Sequence, residues 1–173
     1  LRFLGLADGG VDDADPGAVT DALVEIIEDV RPEVTVTFGP DGITGHVDHV
    51  ACSGLATQAW RLAAHGQLWY AAKTERWLQR WRALHDRIGL WMTEPPNGLP
   101  DADVLTCIGL GAAELDRKRA ALDGHASQTA AVVAAFGEDD YRQWIGEETF
   151  RLPTAAELVE TGARRALAGS GVA

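Results

Sequence analysis

Apolar and polar positions along this chain follow two periods, and their succession predicts strands and helices in turn. In residues 33–38, Val34, Val36 and Phe38 alternate with threonines, which is typical of a β-branched strand. In residues 74–88, Trp77, Trp81 and neighbouring apolar positions recur at helical spacing. The predicted strands are 1–6, 33–38, 68–72, 104–108 and 147–152, and the predicted helices are 15–31, 48–65, 74–88, 112–136, 138–146 and 154–167.

The order of these patterns predicts the fold class. Helices and strands alternate from residue 1 to residue 108, as in parallel βαβ units. We therefore expect an α/β fold, with a Rossmann-like three-layer α/β/α arrangement and a mainly parallel sheet. No repeat or second pattern interrupts the chain, so residues 1–173 are interpreted as a single domain. The tryptophan stripe is expected in the core, with His85 and His125 as structural histidines.

The candidate chemistry lies where the strand 33–38 leads through glycines into a helix. The loop delivers His46, Asp48 and His49 within four positions, and i, i+3 spacing sets the two histidines on one side of a helix. Imidazole is both a common metal ligand and the usual acid or base near neutral pH. A carboxylate between two histidines can orient one of them. A polar helix start with surface histidines is the alternative interpretation.

Composition narrows the class of partner. The net charge is −11 without a basic stripe, which argues against nucleic acid and anionic membranes. No apolar run approaches the roughly 20 residues of a membrane span. Cys52 and Cys107 are the only cysteines and are expected as small core residues in a reducing compartment, so a cytoplasmic protein is predicted. Homo-oligomerisation is left open.

The stretch from Thr37 to Gly42, followed by Gly45-His46-Val47-Asp48-His49, resembles the LmbE-like (PIG-L) family of zinc-dependent N-acetylglucosamine deacetylases. Val47 stands where that family typically carries proline. Residues 4–9 and 118–128 resemble two further stretches of the family, so the likeness extends to about residue 130.

The resemblance implies a set of roles. His49 would be one ligand of a zinc ion, which lowers the pKa of its bound water and polarises the acetamide carbonyl. His46, oriented by Asp48, would stabilise the oxyanion and protonate the departing amine. Asp8 and Gln128 would bind the substrate, a small-molecule amino-sugar conjugate.

The family takes its other two zinc ligands, and its general base, from a His-Pro-Asp-Asp motif after the first strand, and this sequence has no such motif. Three explanations stay open: a missing N-terminal segment that includes the first strand, an inactive relative, or ligands supplied by another chain. Leu1 in place of an initiator methionine favours the first. We expect the chain alone to hold no tight zinc and to be inactive. An N-terminally extended form is expected to bind zinc tightly and to be active.

The rival hypothesis is a non-catalytic Rossmann-like module that binds a sugar or a nucleotide. No Gly-x-Gly-x-x-Gly follows a predicted strand, which argues against a dinucleotide site.

Overall fold

The computed structural model describes residues 1–159 and confirms the α/β class. The described residues form two compact units, one of Leu1–Ala71 with residues 151–159, and one of Ala72–Phe150. Strand pairing is mixed, with one parallel and one antiparallel pair described below.

The first unit is a βαβ arrangement preceded by a helix. Its elements are α1 (Pro16–Val30), β1 (Val34–Phe38), α2 (Val47–Ala63) and β2 (Gln67–Ala72, the last residue of which falls in the second unit). The Asp15 carboxylate begins α1 by accepting the backbone N–H groups of Gly17 and Ala18 at 2.8 and 3.2 Å. The strands β1 and β2 pair in parallel, and α2 packs on both α1 and β1. The predicted succession of strand, helix and strand over residues 33–72 is thereby confirmed.

The second unit is mostly helical. It contains α3 (Glu75–Ile88), β3 (Thr106–Gly109), α4 (Ala112–Asp123), α5 (Ala126–Phe136), α6 (Glu138–Trp144) and β4 (Glu147–Arg151, the last residue of which falls in the first unit), with a 3-10 turn at Asp101–Asp103. Its core is a cluster of Phe136, Tyr141 and Ile145, and the Trp81 ring stacks on Phe136 with centroids 6.1 Å apart. Trp77 and Trp81 are buried, which confirms the tryptophan stripe as core.

Two predicted elements differ from the structure. Residues 1–6 form no strand, and Leu1, Phe3, Leu4 and Leu6 are exposed. The positive φ of Gly5, +71°, breaks the extended run that the apolar pattern suggested.

The single helix predicted over residues 112–136 is instead two helices, α4 and α5. The backbone N–H groups of Gly124 and His125 turn back to Ala121 and Leu122 at 3.2 and 3.0 Å, which closes α4 with tight i→i−3 bonds. His125 consequently lies at the start of α5 and is exposed, so the prediction that it is a structural histidine of the core was wrong.

Two further expectations concern individual strands. Cys107 lies on β3, whose side chains are mostly exposed, and is itself exposed, so the prediction of a core cysteine was wrong there. The strands β3 and β4 run antiparallel, so the pairing is not parallel throughout.

Residues 155–159 are helical, and the rest of the helix predicted over 154–167 lies outside the described residues. Within residues 1–159, every helix is too short or too polar to cross a bilayer.

Candidate functional site

The site is built on the loop between β1 and α2, which folds back on itself within a few residues. Gly42 donates its backbone N–H to the Gly39 carbonyl at 2.9 Å, and the Asp41 carboxylate accepts the Ile43 N–H at 3.2 Å. Thr44 N–H then donates to the Gly42 carbonyl at 2.7 Å. Ile43 has a φ of +63°, which is rare for a β-branched residue. Backbone strain of this kind is concentrated at functional sites.

Gly42 sits where only glycine fits. Its φ is +62°, and a Cβ atom added to it would lie 2.9 Å from the Cβ of His49 and 3.0 Å from Val50. Real Cβ atoms do not approach that closely, so the loop can lie flat against the first turn of α2 only with glycine here. This close approach sets the position of His49.

His49 is held from two sides. Its ring stacks on Phe38, the last residue of β1, with centroids 4.1 Å apart and an interplanar angle of 7°. Its Nδ1 lies 3.0 Å from the Gly42 carbonyl oxygen. A carbonyl only accepts hydrogen bonds, so Nδ1 carries the proton and the Nε2 lone pair of the neutral ring is left available. This is the arrangement in which a backbone carbonyl fixes the tautomer of a metal-ligating histidine.

His46 carries the opposite tautomer. It caps the N-terminus of α2, and its Nδ1 accepts the backbone N–H of Asp48 at 3.1 Å. An Nδ1 that accepts is unprotonated, so the proton of the neutral ring is on Nε2, which can donate. The ring centroids of His46 and His49 are 5.0 Å apart, and the angle between the two ring planes is 33°. The two histidines of one loop therefore present, side by side, a hydrogen-bond donor and a lone pair.

Asp48 is buried and ties the loop to the N-terminal turn. Its two carboxylate oxygens accept the backbone N–H groups of Gly9 and Val11 at 2.7 and 3.1 Å. In that turn the Gly10 backbone N–H donates a hydrogen bond to the Ala7 carbonyl oxygen at 3.1 Å. The turn also contains Asp8, which is exposed. The contact between Asp48 and His46 runs through the Asp48 backbone N–H. The structure thus brings His46, Asp48 and His49 together with the Asp8 turn.

Gln128, the other predicted substrate-binding residue, belongs to the second unit. It lies in the first turn of α5 and lines a cavity there.

A polar group that sequence reasoning missed lies against the same loop. Arg151 forms a two-pronged ion pair with Glu157 at 2.6 and 2.9 Å and lies over the Tyr70 ring at 5.1 Å. A Cβ on Gly39 would be 3.5 Å from the Arg151 guanidinium. The hydrogen bonds that Arg151 donates to Glu157 raise the pKa of Arg151, so its charge is fixed. Arg151 is about a hundred positions from the loop in sequence, and no motif links the two segments.

The donor set within residues 1–159 was tested against the zinc ion that the resemblance implies. A catalytic zinc usually has three protein ligands. His49 fits as one of them, through Nε2. No group of three histidine, cysteine, aspartate or glutamate side chains in the described part of the chain could hold a metal ion. These residues therefore do not by themselves fit a three-ligand zinc site.

Comparison with known proteins gives consistent matches. Residues 1–60 match the family described as PIG-L, GlcNAc-PI de-N-acetylase. A 1D-myo-inositol 2-acetamido-2-deoxy-alpha-D-glucopyranoside deacetylase of Rhodococcus opacus (strain B4) is 40% identical over 66% of this chain and 44% of its own length. Proteins of the same description from Rhodococcus jostii (strain RHA1) and Thermobifida fusca (strain YX) are 35% and 31% identical over 83% and 71% of the chain, which are 56% and 48% of their own lengths. The chain spans about half the length of the curated relatives it matches.

Proposed function

Because the chain belongs to the PIG-L family, we propose that it carries part of the active site of an enzyme that removes the N-acetyl group from an N-acetylglucosamine-type conjugate. The substrate class follows the relatives, and the proposed substrate is 1D-myo-inositol 2-acetamido-2-deoxy-alpha-D-glucopyranoside. The observation that carries the proposal is the pair of opposite tautomers at His46 and His49.

His46 is the proposed catalytic residue of this chain. In amide hydrolysis a water oxygen bonds to the carbonyl carbon, the carbonyl oxygen gains negative charge, and the C–N bond then breaks to give acetate and an amine. The Nε2–H of His46 is available to donate to the oxygen as that charge develops, because Nδ1 is occupied as an acceptor. The same proton can pass to the departing nitrogen. The N-cap position of His46 fixes the ring for both tasks.

His49 is the proposed metal ligand. Its Nδ1–H bond to the Gly42 carbonyl and its stacking on Phe38 orient the Nε2 lone pair before any ion binds. Further ligands, and the base that takes the proton of water, have to come from outside the described residues, since these hold no three-ligand group.

Asp48 and Asp8 are proposed to position and bind the sugar. Asp48 fixes the N-terminal turn through Gly9 and Val11 and fixes His46 through its backbone N–H, so it acts as a positioning residue. The exposed carboxylate of Asp8 on that turn is free to accept a sugar hydroxyl. Gln128 remains a proposed substrate contact on the resemblance alone.

The same proposal covers fold and location. A Rossmann-like, three-layer arrangement with a mainly parallel sheet is supported by the β1–α2–β2 unit. A cytoplasmic location is supported by two cysteines that form no disulfide with each other.

The test is amine release from the proposed substrate by the complete gene product that contains this chain, with a His46→Ala variant measured beside it. We expect stoichiometric amine and acetate from the parent and a loss of about 100- to 1,000-fold in turnover in the variant. Equal turnover in the two proteins would remove His46 from the chemistry. A parent that binds the conjugate and releases no amine would favour the non-catalytic binding module.

A further inference from the structure

The second unit contains a cavity of about 320 Å³ whose residues have no part in the proposed deacetylation, apart from Gln128. Most of its wall is apolar, with the rings of Trp77 and Trp144 among the lining side chains. Its few polar groups include Lys73, Lys118 and Glu148. An apolar cavity of this size with a small number of charged groups is the usual composition of a small-molecule site.

The two lysines of the cavity differ in how their charges are balanced. The Lys118 ammonium forms an ion pair with Glu148 and donates to the Ile145 carbonyl at 2.7 Å. Lys73 has no carboxylate within ion-pair distance among residues 1–159, and its ammonium instead lies over the Trp77 ring, 4.7 Å from the centroid. One positive charge in the cavity is therefore balanced and the other is not.

The free Lys73 charge is costly in its surroundings. Burial lowers the pKa of Lys73 against the opposing effects of Glu148 and Glu147, and the nearby Lys118 lowers it further. An ammonium removed from water is stabilised mainly by an opposite charge placed against it. A ring face supplies only part of that stabilisation.

A second polar group in the same wall also lacks a partner. The indole Nε1–H of Trp77 is buried and makes no hydrogen bond within the described part of the chain. Buried N–H donors are nearly always paired, so each exception calls for an explanation. The Trp77 N–H is enclosed by protein atoms, so Lys73, whose ammonium covers the Trp77 ring, is the group of this pair that an acceptor oxygen in the cavity would meet.

From this we propose that the cavity of the second unit binds a small organic anion, with its carboxylate or phosphate oxygens against Lys73 and its apolar body against Trp77 and Trp144. The oxygens supply the missing counter-charge and the rings cover the ligand's apolar surface. The volume of about 320 Å³ is at the lower end of the range of small-molecule sites and has room for an aromatic ring with a charged substituent. Anion binding here does not depend on the proposed deacetylation, since no residue of the loop between β1 and α2 lines the cavity.

The test uses the 173-residue chain and four probes of similar size: benzoate, phenyl phosphate, neutral benzamide, and benzyl alcohol. Affinity is measured by calorimetry, with the fluorescence of the cavity tryptophans as a second readout. We expect at least one anion to bind about tenfold or more tightly than the two neutral probes, which share its ring but lack its charge. The stronger of the two anions identifies the natural head group as carboxylate or phosphate.

A pair of variants locates the charge. Lys73→Met removes the ammonium from the cavity and should weaken the anion about tenfold or more, while leaving the neutral probes unchanged. Arg76→Met removes one positive charge from an exposed position of α3 and should change anion affinity less than twofold. Benzamide binding as tightly as benzoate and phenyl phosphate overturns the proposal without any variant. So does an anion affinity that Lys73→Met leaves unchanged, or the failure of both anions to bind.

Discussion

At the scale of single residues, position 47 is where this chain departs from the resembling family. Val47 is the first residue of α2 and is exposed, and no described residue accepts its backbone N–H. His46, just before it, has φ −63° and ψ 131°, an extended conformation that a following proline favours. Proline at the first position of a helix loses no hydrogen bond and restricts the unfolded chain.

We therefore expect Val47→Pro to raise the free energy of unfolding by about 0.4–1 kcal/mol. Val50→Pro is the matched control, because the Val50 N–H donates to the His46 carbonyl at 3.1 Å. Proline there should cost about 3 kcal/mol or more. Urea unfolding of both variants measures these two changes in stability. A Val47→Pro protein less stable than the parent would contradict the prediction and show that the helix start is strained.

Gly42 gives a second prediction at this scale. A methyl group at Gly42 would collide with His49 at 2.9 Å and would have to adopt a φ of +62°. Gly42→Ala should lower the free energy of unfolding by about 1–3 kcal/mol and displace His49. Gly54→Ala is the control: it lies inside α2 with nothing within 4 Å, and it should stabilise by about 0.5–1 kcal/mol. Equal effects of the two substitutions, measured by urea unfolding, would mean that the loop does not depend on glycine at 42.

The sequence predicted His46 and His49 as neighbours, because their spacing and the preceding strand are local features. It could not predict which ring nitrogen of each is protonated. That depends on the Gly42 carbonyl and the Asp48 N–H, which reach the rings only once the loop has folded. The anchoring of Asp48 to Gly9 and Val11 links segments almost forty residues apart and has no signature in the sequence.

At the scale of elements, local patterns predicted most helices and strands of residues 1–159, and the failures have physical causes. The apolar run of residues 1–6 reads as a strand, yet a strand needs a partner, and Gly5 turns the backbone away. The break between α4 and α5 falls at Gly124 and His125, inside an unbroken helical pattern. Helical periodicity continues across such a turn, so it could not locate the break.

The packing of α3 against the rest of the second unit provides a pH-dependent prediction. His85 is buried, and its Nε2 accepts the Trp144 indole N–H at 2.9 Å. Protonation of Nε2 would abolish that bond. Burial lowers the pKa of His85 to about 4, although Asp86 opposes the shift.

The direction in which stability changes with pH follows from the number of protons that the folded and unfolded chains bind. Between the ordinary pKa of 6.5 and about 4, the unfolded chain binds a proton at His85 that the folded chain does not. Stability should therefore be complete above pH 6.5 and fall as the pH is lowered towards 4, by on the order of 3 kcal/mol at the acid end.

His85→Gln isolates this contribution, since its side-chain oxygen can accept from Trp144 and does not titrate. We expect urea unfolding at pH 7 and pH 4.5 to show a smaller acid loss in this variant than in the parent. An acid loss as large in His85→Gln as in the parent would assign the pH dependence to other groups.

At the scale of the whole molecule, the family membership and the ligand count lead to one expectation. The chain matches about half the length of its relatives, and its described residues supply one fitted zinc ligand, His49. One imidazole does not hold zinc against water when stable catalytic sites use about three protein ligands. The 173-residue chain should therefore lose zinc on dialysis and release no amine. Stoichiometric zinc in the dialysed 173-residue chain, measured by atomic absorption, would refute this ligand count.

The division of labour between the two histidines is the central claim, and one paired measurement tests it. Zinc content and amine release are determined together on His46→Ala and His49→Ala variants of the complete gene product. Because His46 donates through Nε2 and His49 presents a lone pair, His46→Ala should keep its zinc and lose about 100- to 1,000-fold in turnover. His49→Ala should lose the zinc itself. Equal zinc loss in the two variants, or zinc lost from His46→Ala and kept by His49→Ala, would contradict the assignment.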